Sequence, residues 1–564
     1  SSDVCSSDLD EYEVHVYDEK GNEVFVEDED EWNPIVEEET KLSVDMKQEH
    51  TSNFWKWLRK DWIEAHGGLE AVISGGIYFG DDDPKKEDSN EVKAGNESTS
   101  SRKVKVQIEM FDKTISGEAA IESKFAEVVE KTKQKDREEL PEYLGWLEEN
   151  TKNVALKFRI VCEILSVMLS NFNRTRSEGV VMSKDVVSGL MGASERLLGY
   201  TNESAVGECL HDKSVMSKLV LVLGRIIEDE YHSLKFIEYP SQEYTDKTAE
   251  FLAFVDIGLK LLAKLQQVHN EEVANDEKRG STKDMAEMFV ELAMSVLKTI
   301  YGLPMNTSFM YNGSTLTLEQ MVSALATCIF NESENEEDKY MAFLCHASVM
   351  IAKGDVSAAP LLVSMPKGIQ SASVPLQITR NRVIGQLALA GFAEKDYALV
   401  YTCLHDMVYS NKIVMMLGQP KRKTESRSLP PHMFLSIPTL ELIFHLSALI
   451  VENGDKPIEP AQLKKRMCTA GSIIKLAPVT MLEKMQGVNA AIEEGDWRRM
   501  SMLIESIATE SGVTVDLSAA ISKLKEYACR VFVTKYKSQF TSLTAQHLVE
   551  MFEIDEATAS SLLQ

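Results

Sequence analysis

From about residue 115 onward, apolar residues recur three and four apart with polar residues between them, the period of helices that bury one face. The clearest unit is LQITRNRVIGQLALAGFAEKDYALVYTCLHDMV, residues 376–408. Ile384, Leu387, Ala388, Gly391 and Phe392 form one stripe, and Tyr397, Val400, Tyr401, Leu404 and Val408 form the next. Only a few residues separate the stripes, so the spacing predicts antiparallel neighbours. Pro375 suits a first helical turn, and Gly385, Ala388 and Gly391 permit close helix approach. A second break, AAIEEGDWRRMSMLIESI, places Gly495 at a helix C-terminus and Asp496 as the cap of the next helix. Trp497 is then expected to fill the gap between the two helices. The last 22 residues, LTAQHLVEMFEIDEATASSLLQ, read as two short helices at a tight turn. Leu548 and Phe552 share one face of the first helix. The second begins after Ile554 and is expected to bury Ala557, Ser561 and Leu562. This is the outline of a helix-turn-helix.

Stacked helix pairs of this kind predict a solenoid, each pair burying its face against its neighbours, although no strict repeat period can be counted. The beginning of the chain differs. EYEVHVYDEKGNEVFVEDEDEW alternates apolar and acidic residues about Lys20-Gly21-Asn22, which predicts a small β-hairpin. Phe54, Leu58 and Trp62 then fall at helical spacing, in a segment that reads either as a core helix or as a partner-docking one. Polar residues dominate 80–103, as in a flexible linker. SSDVCSSDL at 1–9 reads as a non-native artefact, and the missing initial Met suggests a fragment. The expected divisions are 1–9, an acidic region at 10–79, a linker at 80–114, helical repeats at 115–334, a second set at 335–518, and the terminal helices at 519–564.

Charge and chemistry narrow the function. The net charge is −29, and residues 10–50 hold 16 acidic against 3 basic residues. So acidic a chain is not a general polyanion binder, because phosphate neutralisation supplies most non-specific affinity. Local exceptions are Lys421, Arg422, Lys423 and Arg427 in KRKTESR, and Lys464, Lys465 and Arg466 in LKKRM. Each is a candidate RNA contact or simply a solvated face. Residues 541–564 hold no Lys or Arg, and the second terminal helix opens on Asp555-Glu556, which suits a helix dipole but repels phosphate. That element is expected to dock protein, not DNA. No run of 18 apolar residues occurs, so no membrane span is expected. The eight cysteines contain no C-x-x-C pair and read as isolated thiols of a reducing cytoplasm. No phosphate-binding loop, metalloprotease, nucleophile-elbow or dinucleotide motif is present, so no catalytic, cofactor or metal residue is expected.

A helical solenoid running into a non-basic helix-turn-helix is the layout of a PCI domain ending in a winged helix. The chain resembles one family of PCI proteins within eukaryotic translation initiation factor three, that of its C subunit. The resemblance lies in PLQITRNRVIGQLALAGF with its Asn381-Arg382 pair, in Leu417-Gly418-Gln419 of MMLGQ, and in LPPHMFLSIPTLELIFHLSALIVE followed by KKRM. It continues in Gly495-Asp496-Trp497 and in TSLTAQHLVEMFEIDEATASSLL. It is dense over 335–564 and reaches back through SQEYTDKTAEFLAF to about residue 200. It implies a PCI array over 335–518 and the start of a truncated winged helix at 519–564. It also implies a non-catalytic cytoplasmic scaffold that joins the other initiation factor three subunits, above all the large PCI partner known as the A subunit. Such a scaffold binds the small ribosomal subunit and its RNA and helps assemble the preinitiation complex. Asp496, Trp497, Leu548, Phe552 and Ile554 become structural or partner-docking candidates. The family's N-terminal tail, which docks initiation factors one and five, has no recognisable counterpart in 10–110, although acidity and an aromatic helix are compatible with such docking. The resemblance implies wing strands beyond residue 564. Rival readings are a PCI scaffold of the proteasome lid or signalosome, and a helical adaptor of another kind.

Overall fold

The computed structural model describes residues 16–17, 23–24, 111, 113, 115–131, 138–175, 181–274, 279–364, 372–420, 427–454 and 478–563. The chain divides between residues 102 and 103 into two units. In the first, β1 (Val16–Tyr17) and β2 (Glu23–Val24) pair antiparallel in the register Val16 to Val24 and Tyr17 to Glu23, the hairpin predicted by the alternation. The aromatic helix expected at Phe54–Trp62 and residues 1–9 and 80–110 lie outside the described residues.

The second unit is mainly α. It begins with α1 (Glu118–Lys131), α2 (Leu140–Asn150), α3 (Val154–Thr175), α4 (Lys184–Thr201) and α5 (Gly207–Leu210). Then come α6 (Lys213–Ser233), α7 (Gln242–Ala274), α8 (Arg279–Ile300), the hairpin β3 (Ser308–Tyr311) and β4 (Ser314–Thr317), α9 (Leu318–Glu332) and α10 (Glu336–Ala352). The array continues through α11 (Ala359–Ser364), α12 (Val374–Ala393), α13 (Tyr397–Tyr409), α14 (Ile413–Met416) and α15 (Ile437–Glu452). It closes with α16 (Met481–Glu494), α17 (Trp497–Glu510), α18 (Ser518–Tyr536), α19 (Ala545–Phe552) and α20 (Glu556–Leu563). The long helices pack on others close by in the chain: α6 on α7 and α8, α8 on α9 and α10, α15 on α16 and α18. One apolar core therefore runs from Ile121 to Leu524.

Local chemistry explains the breaks. Thr317 and Gln320 form a reciprocal capping box at the start of α9, and Thr480 and Glu483 another at α16. Both predicted stripes, on α12 and on α13, are buried, and Pro375 lies in the first turn of α12. The hairpin β3–β4 goes beyond the elements expected from the sequence. Its signal is nonetheless local, since Asn312-Gly313 takes positive φ at both residues, the two-residue turn that matches strand twist.

The segment Pro431–Glu452, which contains α15, is long and apolar enough to cross a membrane, with a mean hydropathy of 1.9. That qualifies the expectation drawn from uninterrupted apolar runs. Here the helix is a core element: it packs on α12, α13, α16 and α18, and it buries His445, Ser447 and Glu452 among its apolar residues. An apolar stripe on every side of a helix reflects neighbours on every side.

Candidate docking site at the end of the array

Helix α16 stops because Gly495 turns left-handed, with φ of +76°. A Cβ there would lie 2.9 Å from the Cβ of Phe532 on α18, so backbone sign and close approach both require glycine. The Asp496 carboxylate accepts the Arg499 N–H at 3.1 Å and caps α17. Trp497 follows, half-buried, but it does not fill the α16–α17 gap as expected; Phe532 occupies the space beside Gly495. A helical side chain leans back over the turn N-terminal to it. At the first position of α17 the indole therefore overhangs the helix end and reaches α19. Its Nε1–H donates to the Met551 carbonyl at 2.8 Å, and Lys525 of α18 holds its ammonium 3.9 Å from the ring centroid. Glu553, left-handed at the end of α19, lies 3.8 Å from Lys525 and 3.7 Å from Arg498.

Leu548 and Phe552 are buried, together with Ala528 and Cys529 of α18 and Ala559 of α20, in a small apolar cluster of their own. The Phe532 and Phe552 rings are 5.4 Å apart. Ile554 is half-buried in the turn between the helices. On α20 the expected face is corrected: Ala557 and Ser561 are exposed, Leu562 is half-buried and Ala559 is fully buried. Asp555 caps this helix through the N–H and hydroxyl of Thr558, which fixes its first turn. Which face then turns inward is set by where α18 lies. Leu548 and Phe552 hold the terminal pair on the array and offer little to a partner. The exposed apolar residues nearby are Met551 and Phe540, each about 40% accessible.

The sequence stretches around α12 converge on a second structural site. Asn381 donates to the Met416 carbonyl at 3.0 Å, ending α14, and buried Arg382 donates to the Met433 carbonyl at 2.6 Å. Gly418 turns left-handed against Ile378, and Gln419 donates to the Leu435 carbonyl at 3.1 Å. Gly385 leaves room for Leu435, since a Cβ would sit 2.9 Å from its methyl carbon. Together they clasp residues 413–420 and 427–435 against α12. The far side of this segment meets α6 and α7: Tyr231 bonds to the Met433 sulfur, and Tyr244 hydrogen-bonds to Nδ1 of His432. Burial, with the Arg382 charge close by, pushes the His432 imidazole down to about 4. A further tie between α6 and α7 is the buried pair Lys247–Glu230, 2.7 Å apart; burial raises the Glu230 carboxyl although Lys247 opposes it.

Of the basic candidates, Lys421, Arg422, Lys423, Lys464, Lys465 and Arg466 lie outside the described residues. Arg427 is described and is a structural residue: its guanidinium donates to the carbonyls of Lys235 and Ile237, closing the end of the turn after α6. A charge fixed on backbone carbonyls is a weaker candidate for RNA than its sequence neighbourhood suggests. Among the described residues no group of three His, Cys, Asp or Glu side chains could hold a metal ion. Cys162, Cys345, Cys403 and Cys529 are buried thiols, and burial raises each of them.

This helix array, with its caps and clasps, can be compared with known proteins. The chain is similar to the C subunit of eukaryotic translation initiation factor 3. The protein of that name from Anopheles gambiae is 22% identical over 375 residues, covering 60% of this chain and 38% of the relative. That from Danio rerio is 22% identical over 389 residues, covering 61% and 41%, and that from Culex quinquefasciatus 21% over 374, covering 60% and 40%. The chain thus matches about two fifths of the length of these relatives. No protein-family profile matches it. In a chain with this similarity, Asn381-Arg382 and Leu417-Gly418-Gln419 are backbone-carbonyl clasps and close packing points, and Gly495-Asp496-Trp497 is the joint for the terminal helices. Sequence reasoning misses Phe532 and Lys525, which complete that joint. Their signal is the helical spacing of Lys525, Ala528 and Phe532 along one strongly patterned segment.

Proposed function

We propose that this chain is a non-catalytic scaffold of the initiation factor 3 type. In this reading residues 335–518 act as a PCI array and 519–564 as the start of a winged helix that docks on a sister PCI protein, the A subunit of the factor. The assembly binds the small ribosomal subunit in the cytoplasm and helps build the preinitiation complex. The observation that carries the reading is the consistent similarity to the C subunit over 60% of the chain. The stacked helices support it, because such arrays supply long surfaces without needing an active site. The segment at 10–79 is the candidate for contacts with initiation factors one and five, on its acidity alone. Affinity purification of the chain from cell extract tests the proposal. Small-subunit ribosomal proteins and other initiation factor 3 subunits are the expected companions. Proteolytic subunits in their place would overturn it in favour of a proteasome-lid scaffold.

A further inference from the structure

Two hollows, of about 500 and 530 Å³, lie on helices of the first half of the array. They share Glu228, Glu291 and Ser295, and so form one groove running from α3 across α6 and α8 to the junction of α9 and α10. The spacing of its residues follows the helical period. At about 100° per residue, Leu221, Arg225 and Glu228 fall within about 60° on α6, and Glu287, Glu291 and Lys298 within about 40° on α8. The two helices approach closely at Gly224, where a Cβ would lie 3.1 Å from the Ser295 Oγ.

The groove has an apolar floor and an acidic rim. Leu169, Val222, Val290 and Met294 line it as buried residues, and Leu221 stands at its edge, 61% accessible. The carboxylates are Glu228, Glu287, Glu291, Glu332, Glu334 and Asp338. Glu228 accepts the Ser295 hydroxyl at 2.9 Å and Asp338 the Asn335 amide at 3.2 Å, both neutral partners. Glu287, Glu291 and Glu332 are exposed and have no ion pair among the described residues. The cations of the groove are Arg225, which pairs with buried Asp229 at 3.3 Å, and Lys298. Partial burial, with the Glu228 charge close by, raises the Glu291 carboxyl. An incoming cation would relieve that repulsion.

The spread of these charges selects the occupant. Among the described residues no three such side chains could hold a metal ion together. Crossing four helices at about 8–10 Å per step makes the groove about 25 Å long, which matches about eight residues of extended chain. Separated carboxylates around an apolar floor complement a segment that carries several cations and an apolar side chain.

We infer that this groove docks an extended, Arg- or Lys-rich segment of a partner protein, its cations among Glu287, Glu291 and Glu332 and an apolar side chain against Leu221. The inference goes beyond the proposed function, which assigns no partner to this face, and does not depend on it.

The test uses the full chain and a fluorescent ten-residue peptide of five arginines, one leucine and four serines, titrated by anisotropy at several salt concentrations. The triple variant Glu287→Gln, Glu291→Gln, Glu332→Gln should weaken binding about tenfold and lessen its salt dependence. Leu221→Ser should weaken it about fivefold with the salt dependence unchanged. Glu149, Glu394 and Glu505 are exposed and lie outside the groove. Their triple replacement by Gln should change affinity by less than about twofold. The substituted side chains are all exposed, and unchanged helicity and melting confirm that the variants fold. Equal losses in the two triple variants overturn the inference, because attraction would then be diffuse and owed to the net charge alone. So does equal affinity for a peptide with citrulline in place of arginine, which would make the groove a site for neutral apolar segments. Absence of binding at low salt overturns it as well. If the chain still co-purifies with small-subunit proteins in any of these cases, the inference falls alone. Peptide binding at the groove without that co-purification supports the inference and counts against the proposed function alone.

Discussion

Replacing Trp497 with Ala should release the last two helices while leaving the array folded. The indole makes three contacts that alanine cannot: the Nε1–H bond to the Met551 carbonyl, the Lys525 ammonium over its face, and apolar contact with both the main core and the terminal cluster. A hydrogen bond of this kind contributes about 1 kcal/mol, and an exposed cation–π contact about 0.5–1 kcal/mol. The half-buried ring adds roughly another 1 kcal/mol, well below the cost for a fully buried aromatic. The sum, about 2–3 kcal/mol, falls on the local opening of α19–α20. Amide exchange across 545–563 should therefore accelerate about 30- to 140-fold, at tenfold per 1.4 kcal/mol. Exchange in α12 and α15 should not change. Trp497→Phe, which keeps a ring but loses the N–H, should give only about fivefold. Asp496→Ala, which removes a cap worth about 1 kcal/mol, should also be the milder change. Hydrogen exchange read by mass spectrometry resolves these segments. Unchanged protection of 545–563 in Trp497→Ala would refute the reasoning, because the terminal helices would then be held by Leu548, Phe552 and Ala559 alone.

Gly495→Ala should destabilise the chain by about 1–3 kcal/mol in urea melts, since it forces a side chain onto positive φ and toward Phe532; a wild-type midpoint would show that α18 can retreat. Arg382→Met should cost about 3 kcal/mol or more, because the Met433 carbonyl loses a charged donor in a buried site. Loss of protection in 431–435 by hydrogen exchange is the accompanying signature. His432 is held neutral among Tyr244, Tyr231 and Arg382, so the unfolded chain takes up its proton first as pH falls. Its contribution is complete above about pH 6.5. It declines by about 1.4 kcal/mol per pH unit down to about 4. The gap in stability between wild type and His432→Gln should narrow over that window, and a gap independent of pH would refute the assignment.

Much of this architecture is legible in the residues themselves. Helical period, Pro375, Gly495 and Asp496 are local signals, and a local signal needs only the energetics of one turn of backbone to be obeyed. The same is true of the pairing of β1 with β2, and of the turn at Asn312-Gly313, whose two residues carry its meaning without help from the rest of the chain. The long-range placements are not legible. Nothing near Arg427 in sequence says that its guanidinium will close a turn 190 residues earlier, or that Arg382 will be buried against a carbonyl 51 residues later. Sequence makes Trp497 a filler between adjacent helices because chain neighbours are the only neighbours it reveals; the true partner is Met551, 54 residues on. On α20 the helix itself follows from its pattern, but Ala559, not Ala557 or Ser561, faces inward, because the inward side of a short helix is chosen by the position of α18. Periodicity determines which residues share a face. Only packing in three dimensions decides what that face meets, and so which charges remain at the surface to meet a partner.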